Sequence, residues 1–133
     1  IRGAVLRGVR VRLITAGKSD HWLAGMAQRS YYEDLLSVGA QIHLFGPEFL
    51  HAKHCRVDHE ISILGSSNMD VRSFELNAEI DLLCYDASLA EDLERLEKRY
   101  LEQSRALSED AWERRPLVHK VLENTARMMS DLI

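Results

Sequence analysis

Near the start of the chain, Val9, Val11 and Leu13 alternate with Arg10 and Arg12 before Ile14. A period of two predicts a strand with one charged face. Ile1 to Arg7 reads as the end of a helix closed by Gly8. From Trp22 to Val38 the period lengthens to that of a helix ending at Gly39. Its expected stripe is Tyr31, Leu35 and Val38 with Met26 or Ala27; Arg29 and Tyr32 lie elsewhere on its surface, with a structural role preferred over substrate contact. Gln41 to Phe45 is a short strand, broken by Gly46-Pro47. Leu50 to Val57 and Ile61 to Leu64 read as strands joined at Asp58-His59-Glu60, which makes a hairpin. Ala78 to Tyr85 is a further apolar strand, carrying Glu79 and Asp81. Ser88-Leu89-Ala90-Glu91 has the form of a capping box. It would open a helix with Leu89, Leu93, Leu96 and Tyr100 on one face. Ser108 and Pro116 bracket a linker or short helix. A last helix carries Val118, Val121, Leu122, Thr125, Met129 and Leu132 as its stripe. Strands with intervening helices imply an α/β fold, a mixed β-sheet flanked by helices. The hairpin makes part of that sheet antiparallel. The expected organisation is a single domain over residues 1–133.

Composition narrows the function classes. A chain of 133 residues can bury one real core. Its net charge of −4 gives no basic field for nucleic acid, so a nucleic-acid partner is not expected. The tail is locally basic at Arg114, Arg115, Lys120 and Arg127. A helix packed on its own domain is preferred there over one lying on an anionic membrane. Cys55 and Cys84 lack metal-site spacing and fit a reducing compartment. No apolar run is long enough to span a bilayer, and no signal peptide is read. The chain opens on Ile1 rather than Met, and reads as a piece excised from a longer protein, any membrane anchor lying upstream.

The chemistry gathers between His51 and Asn68. His51 and Lys53 are two apart, so a strand presents both to one face. An imidazole is a nucleophile or proton carrier near neutral pH, and an ammonium stabilises charge on phosphate. Asp58 is an odd number of positions from His51 and sits where the chain turns. By itself it reads as a turn or ion-pair residue. Gly65-Ser66-Ser67-Asn68 ends the second strand of the hairpin. Glycine allows close backbone approach, and hydroxyl and amide groups suit phosphate oxygens. Two other readings fail. Gly17-Lys18-Ser19 would need a glycine at position 12 to form a nucleotide-binding P-loop, and Arg12 stands there. A metal site from His51, His54 and His59 would be split across both strand faces and a turn.

These residues meet every fixed position of the HxKx4Dx6GSxN signature, through His51, Lys53, Asp58, Gly65, Ser66 and Asn68. The chain therefore resembles the phospholipase D superfamily. The flanks Gly8–Ile14, Gly17–Asp20, Arg29–Tyr32, Phe49–Lys53, Asn68–Asp70, Arg72–Asn77 and Glu79 are similar to bacterial cardiolipin synthases, in the C-terminal catalytic half. One departure stands out. His54-Cys55-Arg56 replace the aliphatic residues that usually follow the His-x-Lys pair. The resemblance implies one lobe of the phospholipase D fold and a catalytic set of His51, Lys53 and Asp58. It implies phosphate binding by Lys53, Ser66 and Asn68, with Glu79 orienting the histidine. Two lobes would face each other, each giving one histidine, with a phosphohistidine intermediate and neither metal nor other cofactor. The second lobe would come from the same chain or from a second protomer. The implied activity is a phosphatidyl transferase acting on phosphatidylglycerol at the bacterial cell membrane, the catalytic part at the membrane surface and this stretch itself soluble. A soluble phosphodiesterase or nuclease working as a homodimer is the alternative, and a lobe kept only for dimerisation is a third.

Overall fold

The computed structural model describes residues 1–18, 22–46, 50–69, 73 and 76–129. Ser19 and Asp20, Phe49, Asp70, Arg72 and Leu132 of the sequence reading lie outside them. The chain forms two units, Ile1–Leu50 with Gln103–Ile133, and His51–Glu102.

In the first unit, a short helix α1 (Arg2–Leu6) leads through Gly8 to the alternating segment. The strand β1 spans Arg12–Ala16 and pairs in parallel with β2, Gln41–Phe45, Arg12 opposite Gln41 and Ala16 opposite Phe45. Parallel neighbours need a crossover connection. Helices α2 (Trp22–Ser30) and α3 (Tyr32–Leu36) supply it. The single helix expected over Trp22–Val38 is corrected to these two. Ser30 Oγ donates to the Ala27 carbonyl at 2.6 Å, a back-bond of the kind that bends helices. The crossover ends at Gly39, whose φ of +96° suits a residue without Cβ. A strand not legible in the sequence, β6 (Ser104–Ala106), pairs antiparallel with the other side of β2. Tyr32, Leu36 and Ile42 form the core, packed with Leu13, Leu35, Leu44, Leu107 and Trp112. Tyr32 is buried against Trp112 and shares a 2.9 Å hydrogen bond with Thr15 Oγ1, which makes its role structural. Burial pushes its phenol above the usual range.

Two C-terminal helices complete this unit. Ser108 Oγ accepts from the Ala111 N–H to cap α5 (Glu109–Glu113). The last, α6 (Leu117–Met129), docks the opposite way from the expected one. Val118, Val121, Leu122, Thr125 and Met129 are exposed, whereas Glu123 and Ala126 are buried. The charged face wins because it finds complementary groups. Arg115 holds Glu123 by two hydrogen bonds of 3.1 and 2.9 Å and lies 3.2 Å from Glu33. Lys120 also reaches Glu33, and the Arg115 and Arg127 guanidiniums stack on the Trp112 and Tyr31 rings. Ion pairs and ring stacks of this kind specify one orientation, which an apolar stripe alone does not. Arg115→Ala would leave Glu123 buried without its main partner. Urea unfolding should show a loss of about 3 kcal/mol; a loss below about 0.5 kcal/mol would mean that the pair does not hold the helix.

The second unit is the hairpin and its helix. β3 (His54–Val57), β4 (Ile61–Gly65) and β5 (Asp81–Tyr85) form an antiparallel sheet in that order. The α/β character and the mixed pairing are as expected, but the strands are divided between two sheets. Asp58 takes a left-handed φ of +53° in the β3–β4 turn, which Asp tolerates better than most residues. Helix α4 (Ala87–Glu102) is capped by Asp86, not by Ser88. Asp86 Oδ1 accepts from the Leu89 N–H at 3.1 Å, and its carbonyl from Ala90. Of the expected stripe, Leu93 is buried and Leu89, Leu96 and Tyr100 are half-buried. His54 and Arg56, in place of aliphatic residues, meet Glu97 of α4. The strand face that is usually dry is here tied by an ion pair. The register puts Cys55 and Cys84 on opposite faces of the sheet, so both remain free thiols.

Candidate active site

The site grows from the open end of the antiparallel sheet. The expected strand over Leu50–Val57 begins only at His54, so His51 and Lys53 stand in the segment just before β3. Pairing still reaches one residue past the strand, because Gly65 N–H donates to the Lys53 carbonyl at 3.2 Å. Lys53 Nζ and His51 Nε2 are in direct hydrogen-bond contact. With the ammonium donating, Nε2 is the acceptor and carries the lone pair. His51 is exposed and Lys53 half-buried, so the imidazole can be approached from solvent while the ammonium is held.

On the neighbouring strand the ladder also runs past its formal end. Ser66 N–H donates to the Ile80 carbonyl at 3.0 Å, and Ile80 N–H donates to Ser66 Oγ at 3.0 Å. Ser66 Oγ gives its own proton to the Glu79 carboxylate. Glu79 thus sits just ahead of β5, not within the strand expected over Ala78–Tyr85. It accepts from Ser66, from Ser73 and, at 3.3 Å, from Asn77. Those hydroxyl and amide bonds, with the Lys53 ammonium adding to them, hold the Glu79 carboxyl below the usual carboxylate range. It is ionised across neutral pH. Asn68 is exposed, and its N–H donates to Ser73 Oγ at 3.0 Å, which anchors the turn on a buried serine.

The unit therefore brings His51, Lys53, Ser66 and Glu79 to one end of the sheet, with Asn68 on the adjoining turn. It places Asp58 at the far end of β3, with the whole strand between it and Lys53. There its carbonyl accepts from Arg56, whose guanidinium also makes bonds of 3.1 and 2.8 Å to Glu97. Asp58 thus shapes the turn that fixes β3. The two other histidines of the hairpin are engaged elsewhere, His54 at 3.5 Å from Glu97 and His59 at 3.4 Å from Glu94. Among the described residues, no group of three His, Cys, Asp or Glu side chains is gathered for a metal. Sequence reasoning gave Asp81 no role and read the Ser67 hydroxyl, with that of Ser66, as a donor suited to phosphate. Ser67 and Asp81 are bonded to each other, and only the β4–β5 register, Gly65 opposite Asp81, reveals it.

A paired imidazole and ammonium stand beside a serine–asparagine turn at one end of an antiparallel sheet, a set of groups whose chemistry suits a phosphate. The family described as the phospholipase D-like domain of cardiolipin synthase matches residues 1–100. The chain belongs to that family. Among its relatives, it is 39% identical to cardiolipin synthase 1 of Staphylococcus aureus over 133 residues, all of this chain and 27% of the relative. It is 38% identical to cardiolipin synthase A of Klebsiella pneumoniae over 130 residues, 98% of this chain and 27% of the relative. Cardiolipin synthase 1 of Bacillus anthracis is 35% identical over 133 residues. The chain thus spans about a quarter of the length of the curated relatives it matches. Among the described residues, no helix is long and apolar enough to cross a membrane.

Proposed function

We propose that this chain is one lobe of a two-lobed, cardiolipin synthase-like phosphatidyl transferase acting on phosphatidylglycerol at a membrane surface. The observation that carries the proposal is the contact of His51 with Lys53 beside Ser66 and Asn68. In the reaction, one lobe's imidazole nitrogen attacks phosphorus, and a phosphorus–nitrogen bond replaces the bond to glycerol. The other lobe's imidazolium gives its proton to the departing glycerol oxygen. It then takes the proton of the incoming lipid hydroxyl, which displaces the histidine and restores both imidazoles. With the nucleophile in the upstream, N-terminal lobe, His51 is the acid and base; in a symmetric homodimer it serves both roles. Lys53 and Asn68 bind the nonbridging oxygens. Glu79, an ionised carboxylate at the same end of the sheet, is assigned the stabilisation of an imidazolium and of its tautomer.

Product analysis tests this reading. The complete enzyme with phosphatidylglycerol should release glycerol and form a two-phosphate lipid, with phosphatidic acid minor. Phosphatidic acid as the main product at saturating lipid acceptor would replace the transferase by a hydrolase. The same assay addresses metal. Because Lys53 and Asn68 of each lobe meet the phosphate charge, turnover should survive exhaustive chelation; loss in chelator, restored by one specific metal, would contradict that assignment.

A further inference from the structure

Each hydroxyl of the Ser66–Ser67 pair has its own carboxylate. Ser66 Oγ donates to Glu79, and Ser67 Oγ donates to Asp81 Oδ2. The Ser67 N–H also points at Asp81 Oδ1, at 3.4 Å. Hydroxyl-to-carboxylate bonds are among the strong ones. Asp81 reaches Ser67 because Gly65 lies opposite it across the β4–β5 ladder. A Cβ on Gly65 would collide with Asp81 Oδ1 and the Ile80 carbonyl, and would come within 2.7 Å of Asp81 Cα. The glycine is thus the gap through which the Asp81 carboxylate leans onto the turn. Register extended by one residue puts Lys53 on the other side of the same glycine, whose N–H it receives. The three residues form one row across the end of the sheet.

We propose that Asp81 is a positioning residue for phosphate binding: through Ser67 it locks the Gly65–Asn68 turn, and so places the Asn68 side chain relative to His51 and Lys53. The proposal rests on the phosphoryl-transfer reading above. Ser67 is then a strut, not a phosphate ligand, because its proton is given to Asp81.

The test uses the complete two-lobed enzyme. Misplacement of a binding group by about 1 Å can cost roughly 10²-fold in rate. Asp81→Ala should lower kcat/KM roughly tenfold to a hundredfold on that scale. It should raise the inhibition constant of inorganic phosphate in the same direction. Asp81→Asn keeps an acceptor oxygen and should stay within about threefold of wild type, the scale of a preserved neutral hydrogen bond. Ser67→Ala should reproduce Asp81→Ala, and the double variant should be no worse than the weaker single, since both cut one link. Deuterium uptake at residues 65–68 should rise in Asp81→Ala and not in Asp81→Asn. Multiplying losses in the double variant, or wild-type kcat/KM in Asp81→Ala, would overturn the proposal. A wild-type enzyme without His51-dependent turnover would instead overturn the reading of the site, while the uptake comparison would still report on the Asp81 link.

Discussion

In the two-lobed enzyme, His51→Ala is expected to lower kcat on a phospholipid by about 10²–10⁴-fold, the range for loss of general acid–base catalysis. The structure gives this residue an exposed ring whose Nε2 meets Lys53, with Ser66 and Glu79 at the same end of the sheet. The role of the ring is separable from its importance. A nitrophenolate ester leaves without a proton, so it should relieve most of the loss if His51 is the acid. If His51 is the nucleophile, the better leaving group rescues nothing. Wild-type rate should also be bell-shaped in pH, because one imidazole must start neutral and the other protonated; the two limbs belong to the pair. An unchanged rate on both substrates after His51→Ala would remove this residue from the chemistry.

The second large effect concerns the chain alone. It holds one His-x-Lys pair, and the proposed reaction needs an imidazole on each side of phosphorus. As a monomer it should show no turnover, a loss at least as large as that of deleting His51. Activity should return with a second lobe or in a dimer. Turnover at concentrations where sedimentation detects only monomer would refute the two-lobed mechanism.

Much of this site was legible because its signal is local. The His51–Lys53 spacing, the turn at Asp58 and the Gly65–Asn68 turn follow from residue types and short intervals. The same is true of strand β2 and of the helical period before it that ends at Gly39. What escaped depended on partners distant in sequence. Nothing near β6 announces a three-residue strand; it exists because the edge of β2 is available. Asp81 finds Ser67 only through register. The face of α6 was misjudged for a related reason. Hydrophobic periodicity says which side of a helix is apolar, but not whether a neighbour offers more to the other side. Glu33, Trp112 and Tyr31 do offer more. At α4, both Asp86 and Ser88 are good caps, and a shift of two residues lies within the usual uncertainty of helix starts.

The way α6 is seated has a consequence for how the first unit comes apart. Most helices leave their domain when the hydrophobic effect weakens, and salts that strengthen burial hold them in place. Here α6 also packs on α2 and buries Ala126, but part of its hold is made of guanidinium, ammonium and carboxylate groups and two rings, and the exposed part of that is screened by ions. Ionic strength therefore acts in opposite senses within one unit. Salt should weaken the exposed ion pairs of α6 while strengthening the apolar core of Tyr32, Leu36 and Ile42.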